Sequence, residues 1–267
     1  MAFFWSFSFS PKEKDGFKVW SLKMTINAKG VYYRQLNEKV REAVLAGQSE
    51  ITVDGVNGQR YIADGLKAKA TITINGVPGN DLAAFMDGPT LVINGNAQDG
   101  VANTMNDGKI IVLGDAGDVL GYGMRGGKLY VKGDVGYRVG IHMKGFKGQM
   151  PVIIAGGTAG DFFGEYMAGG ILVLLGIGRQ KDDPIAGDYI GTGMHGGVMY
   201  IRGEVDPLRC GAEVGIVELT DEDKATLETY LKEFCEDTGH DLKKIMKEKF
   251  VKLYPKSSRP YGRLYAY

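Results

Sequence analysis

Two cysteines, three histidines and no surplus of either charge leave this 267-residue chain short of the usual materials of chemistry. Cys210 and Cys235 cannot build a disulfide framework, and neither has the paired spacing of a zinc site. Both facts point to a reducing, cytoplasmic setting. Thirty-two basic and thirty-two acidic residues cancel, which removes the long-range field that draws a protein to nucleic acid or to an anionic membrane. Neither is expected as a partner. Apolar runs such as Ile171 to Leu175 fall far short of the roughly 20 residues that cross a bilayer. The opening stretch MAFFWSFSFS has no basic region before it and no small-residue cleavage pattern after it, so it does not read as a secretory signal. Met24, at the head of MTINAKGVYYRQLNEKV, is the expected biological start. Residues 1–23 then form an extension whose Phe and Trp side chains are expected to pack on the body.

Catalytic signatures are also missing. There is no HExxH, no Walker loop, and no GxSxG with a downstream acid and histidine. His142 and His195 flank methionines of a repeat described below and read as turn residues, while His240 falls between two terminal helices and reads as a surface residue. A lone intracellular cysteine is more often packed than nucleophilic unless its pKa is depressed. Asp182 and Asp183, in GRQKDDPIAGDY, form an acidic pair better read as a solvated loop than as a weak cation site. No catalytic, cofactor-binding or metal-binding residue is assigned from the sequence.

Glycine is what the chain has in excess. Its 41 glycines are about twice the number expected at an average usage near 7%. Two stretches match GxGxxG: Gly121, Gly123 and Gly126 in GYGMRG, and Gly191, Gly193 and Gly196 in GTGMHG. A dinucleotide loop needs a long helix directly after the glycines and an acidic residue about 20 positions on. Here a strand follows instead. The motif also recurs within a longer pattern: FMDGPTLVING, TMNDGKIIVLG, GMRGGKLYVKG, YMAGGILVLLG and GMHGGVMYIRG, with a divergent copy from HMKGFKG. Met86, Met105, Met124 and Met143 are spaced by nineteen, and Met167 and Met194 follow after insertions of five and eight. The glycines therefore read as turns of a repeat.

Short strands rich in Val, Ile, Leu and Tyr that return at a fixed interval cannot bury their apolar faces singly, so neighbours must stack. Propeller blades need about 40 residues per unit, and leucine-rich repeats need an LxxLxL pattern that is absent. A parallel β-helix is the remaining account. About seven coils at about 4.8 Å each give a core on the order of 33 Å long, with the methionines as one internal ladder. Glycine, with Asn75, Asn94 and Asp115 nearby, suits the corners.

Open strand edges at the ends of such a rod need covering. From Tyr33, a helical stripe of Leu36, Val40, Ala43 and Val44 stops at Gly47. Thr220 N-caps a second helix, with Asp221, Glu222 and Asp223 in its first turn, Leu227, Leu231 and Phe234 along its apolar side, and Gly239 at its end. A third begins near Asp241 with Leu242, Ile245 and Met246. The tail carries Tyr254, Arg259, Tyr261, Arg263, Tyr265 and Tyr267, residue types favoured at interfaces. The expected organisation is an N-terminal extension and capping helix over 1–47, a β-helix over 48–219, and C-terminal helices with an interface tail over 220–267.

The repeat GxxxGxxMxGGxxxVxG resembles the GXGXG repeat domain found at the C-terminus of the glutamate synthase large subunit and in one of the chains of formylmethanofuran dehydrogenase. VNGQRYIADGL at 56–66, YRQLNEKVREAV, TLETYLKEFCEDTG and KFVKLYP look like the glutamate synthase branch in its stand-alone form, over about 24–258. The resemblance implies a right-handed parallel β-helix, an all-β solenoid with helical caps at both ends. It implies no active-site residues in this chain and no activity alone, as a subunit of an oxidoreductase. Glutaminase and FMN-binding synthase subunits are the implied partners, with FMN and iron-sulfur clusters held there. The alternative is a scaffold of a formylmethanofuran dehydrogenase or formyltransferase complex. A third reading, a rod that binds sugars or other small molecules in a groove, calls for clustered carboxylates and an exposed aromatic row, and the repeats show neither.

Overall fold

The computed structural model describes residues 6–14, 17–180 and 182–258, with side chains from Met24 onward. Strands β1 (Ser6–Lys14) and β2 (Phe17–Asn27) pair antiparallel. From β2 the chain stacks strands in parallel: β3 (Glu50–Asn57), β4 (Thr71–Val77), β5 (Asp87–Asn94), β6 (Asp107–Val112), β7 (Lys128–Val131), β8 (Val152–Ala155), β9 (Ala168–Leu174) and β10 (Gly196–Arg202). The register places equivalent residues above one another, so Met24, Ile51, Ile72, Leu91, Ile110, Leu129, Ile153, Leu172 and Met199 form a single column. Every member is buried. This is the all-β solenoid that the period of nineteen requires, because each coil buries its apolar side only against its neighbours. The methionine ladder is internal: Met86, Met105, Met124, Met143, Met167 and Met194 are all 0% exposed.

Each coil has three sides. One is the strand. A second is short, held by single bridges from Ala97 to Ala116, Val135, Ala159 and Ala186. The third, just before each methionine, alternates left-handed and right-handed residues. Val119, Gly121 and Gly123 have φ of 60°, 65° and 57°, and their counterparts Arg138, Gly140 and His142 have 58°, 75° and 55°. Neighbouring coils do the same at Asp81, Ala83 and Phe85 and at Phe162, Gly164 and Tyr166. A non-glycine residue in this region costs about 1–2 kcal/mol, and the coil-to-coil hydrogen bonds offset that cost. Val119 N–H donates to Tyr137 O in the next coil at 2.7 Å, Gly121 N–H to Val101 O in the previous coil at 2.8 Å, and Gly123 N–H to Ile141 O at 2.9 Å. Because the conformation recurs along the rod, it belongs to the architecture. The sequence does not announce this alternation, since only some coils spell it with glycine.

Helices flank the solenoid in sequence, one before its second strand and two after its last coil. α1 (Tyr33–Leu45) sets Leu36, Val40 and Ala43 into the main core, and ties itself to the first coil through Asn37 Nδ2 to Arg60 O and Arg41 Nη2 to Asp64 O. α2 (Asp221–Thr238) begins with a capping box between Thr220 and Asp223 and ends at Gly239 in the left-handed conformation. It lies along the outside of the strand side, where Leu227, Leu231 and Phe234 form a second core with Tyr130, Ile154, Val173 and Tyr200. Lys109 and Lys128 pair with Glu233 along its length. A single helical turn, α3 (Leu242–Ile245), follows, capped by Asp241. The last edge is closed by strands: β12 (Phe250–Pro255) runs antiparallel to β10, and short β11 (Val214–Glu218) lies outside it. Tyr254 lies within β12; Arg259, Tyr261, Arg263, Tyr265 and Tyr267 lie outside the described residues, as do the extension's Phe and Trp side chains.

Asp223 fastens α2 to the rod. Its carboxylate accepts from Tyr200 at 2.8 Å and Lys252 at 2.6 Å, and also bonds Thr220. Burial opposes its charge, yet these hydrogen bonds hold its carboxyl well below the usual carboxylate range. A depressed folded-state pKa gives stability that is present above the unfolded value, about 3.9, and is lost as pH falls below it. Asp223→Asn is therefore expected to destabilise by about 2 kcal/mol at neutral pH, the scale of a charge-assisted hydrogen bond. The gap from wild type narrows in denaturant titrations carried below pH 4; a constant gap would contradict the assignment.

Candidate functional site

Among the described residues, the alternating side carries a run of exposed aromatic rings. Phe85, Tyr122, Tyr137 and Tyr189 are each at least 41% exposed. Phe85 and Tyr189 occupy the left-handed places one and five residues before a methionine, and Tyr122 and Tyr137 each directly precede such a place. The middle left-handed residue points into the core, where only Ala or Gly fits. His142 stacks on Tyr166 with ring centroids 5.3 Å apart and planes 9° apart, and Tyr122 meets His142 edge-on at 5.7 Å. A second column stacks Phe162 on Tyr189 at 4.9 Å and 12°. Arg138 covers Phe162, its guanidinium 4.2 Å from the ring centre, and pairs with the buried carboxylate of Glu165. The repeats read from sequence showed no exposed aromatic row in the coils, and the structure corrects that expectation. The row was hidden because its members differ in type from coil to coil and align only once the insertions of five and eight are allowed for.

Two pairs, His142 with Tyr166 and Phe162 with Tyr189, stack face to face near the coil spacing of about 4.8 Å, whereas Tyr122 meets its neighbour edge-on. Each stacked pair covers one face of each of its two rings. Exposed rings, tyrosine hydroxyls and one paired guanidinium on a single surface match the composition of protein interfaces.

The residues singled out in the sequence are scattered. His142 sits in the aromatic column; His195 is exposed, its Nδ1 3.1 Å from Gly193 O; His240 stacks on Phe234 at 5.6 Å. Cys210 is half-buried and Cys235 buried. Burial, followed by nearby carboxylates, pushes both thiols up to about 11, away from the thiolate that a nucleophile requires. Asp182 and Asp183 are exposed, with Arg179 bonded to the backbone carbonyl of Asp183. Among the described residues no group of three or more His, Cys, Asp or Glu is placed to hold a metal ion, and no helix is long and apolar enough to cross a membrane.

The GxGxxG stretches close on their own chain. A Cβ on Gly126 would collide with the backbone oxygen of Asn106, and one on Gly196 with that of Ala168, both in the preceding coil. At these two positions glycine permits the close approach of one coil to the next.

A parallel stack of glycine-cornered coils, with its exposed aromatic surface along one flank, defines this molecule as a β-solenoid repeat protein. The chain belongs to the GXGXG motif family, whose model matches residues 50–256. It is 47% identical over 251 residues to an uncharacterized protein of Methanocaldococcus jannaschii, covering 91% of this chain and 96% of that relative.

Proposed function

We propose that the chain is a non-catalytic, cytoplasmic scaffold subunit of a glutamate-synthase-type complex, holding glutaminase and FMN- and iron-sulfur-containing synthase subunits in fixed relation. The observation that carries this reading is the uncovered aromatic flank on a rigid rod of a family found in such enzymes. Seven parallel pairings from β3 to β10 give a core about 34 Å long at about 4.8 Å per coil. A stiff spacer of that length suits ammonia transfer between two active sites, because misplacement of about 1 Å matters at a reacting centre.

Affinity capture of the tagged chain from native extract is expected to bring down yellow-brown flavin and iron-sulfur proteins with glutaminase activity. Tyr122→Ala with Tyr189→Ala is expected to abolish capture, because truncating interface aromatics removes much of the binding energy, while the loss of two aromatic pairs, each worth about 0.5–1.5 kcal/mol, lowers the thermal midpoint without unfolding the chain. Capture of molybdenum or tungsten pterin proteins instead would assign the chain to the formylmethanofuran dehydrogenase branch. Turnover of a substrate by the isolated chain would overturn the scaffold reading.

A further inference from the structure

The insertion of five residues after Met143 breaks the period, and its Phe146 and Met150 side chains join neither apolar core. It leaves Phe146 54% and Met150 55% exposed. What it does build is one wall of a groove of about 360 Å³. Lys67, Asp87, Asn106 and Arg125, which directly follow the residue at the methionine position in four successive coils, form the floor, and Phe146 and Lys147 form the wall. Three cations face one carboxylate. Arg125 and Lys147 approach the same Phe146 ring, at 5.9 and 5.4 Å from its centre. Among the described residues none of the three cations forms an ion pair. Two like charges gathered on one ring without a carboxylate make a strongly anion-seeking spot.

We infer that this groove binds an acidic, extended peptide segment of a partner protein. Its shape selects a chain over a compact metabolite. Lys67 and Arg125 stand three coils apart, about 14 Å at the coil spacing, which an extended chain spans in about four residues. The segment therefore carries two carboxylates four positions apart, one for Lys67 and one for Arg125 and Lys147. Opposite Asp87 it has uncharged residues, and an apolar residue follows the second carboxylate to lie on Phe146. The groove shares no lining residue with the aromatic columns, and it does not depend on which complex the chain joins.

The test uses the full chain and a fluorescein-labelled peptide with glutamates four positions apart followed by phenylalanine, read by fluorescence anisotropy. Binding is expected in low salt and weakens as ionic strength rises. Arg125→Glu with Lys147→Glu is expected to weaken it at least about tenfold, the scale of a lost charge-assisted hydrogen bond. The thermal midpoint is expected to stay unchanged, since both side chains are exposed. A lysine-for-glutamate peptide is expected not to bind. The inference is overturned by an absence of binding, by equal binding to the double variant, by full competition from millimolar glutarate, or by preference for a single-stranded oligonucleotide. Partner capture from extract is a separate readout, so failure of the scaffold reading leaves this result standing.

Discussion

A Met124→Asp chain is expected to show no cooperative thermal unfolding transition. Met124 is fully buried between Met105 and Met143 in the internal ladder, with its sulfur packed beside Gly121. The main core around it is apolar, so a carboxylate there would have no cation to meet. An unpaired buried charge costs several kcal/mol after relaxation, comparable to the whole stability of a domain, about 5–15 kcal/mol. Met124→Leu, close in volume, is expected to cost less than about 1.5 kcal/mol. Calorimetry on the two variants checks both. A normal transition in the aspartate variant would mean that the ladder opens to solvent.

The second large effect concerns the glycines of the repeat. Gly196→Ala is expected to cost about 3 kcal/mol, the upper range of overpacking, because its Cβ meets the carbonyl of Ala168 and can be accommodated only if two coils separate. Gly123→Ala meets nothing closer than Thr104 Oγ1 at 3.7 Å. Its cost is the left-handed backbone alone, about 1 kcal/mol. If the motif were a cofactor loop, the order of the two would follow ligand affinity rather than stability. Urea titrations of both variants, without added nucleotide, separate the cases: equal midpoints would refute the close-approach account.

Much of this architecture is legible in the chain because a period of nineteen leaves little freedom. Once Met86, Met105, Met124 and Met143 are aligned, the strand columns follow, and Thr220 with Gly239 brackets α2 within a residue. The route of α2 is harder to read. Its apolar stripe fits an end cap as well as a flank, and the choice is made by the outward residues of the strands, which change from Thr71, Thr73 and Thr90 in β4 and β5 to Tyr130, Ile154, Val173 and Tyr200 farther along. That change, from alternating burial to buried throughout, is the signal that α2 covers the later coils. The aromatic columns and the basic groove were illegible for a different reason. Each is assembled from single residues about nineteen or more apart, of unlike type, and local patterning reports nothing of such alignments. The Asp99 and Asp118 side chains, which accept from the backbone of the next coil at 2.9 Å, were hidden for the same reason.

The unbroken column from Met24 to Met199 also governs how this molecule can change in evolution. The longer intervals from Met143 to Met167 and from Met167 to Met194 leave Leu129, Ile153, Leu172 and Met199 in step. Extra residues swell the circumference and do not lengthen the axis. Reach is therefore quantised: the separation between two bodies mounted on the rod changes by whole storeys or not at all, whereas its sides can gain bays and grooves freely.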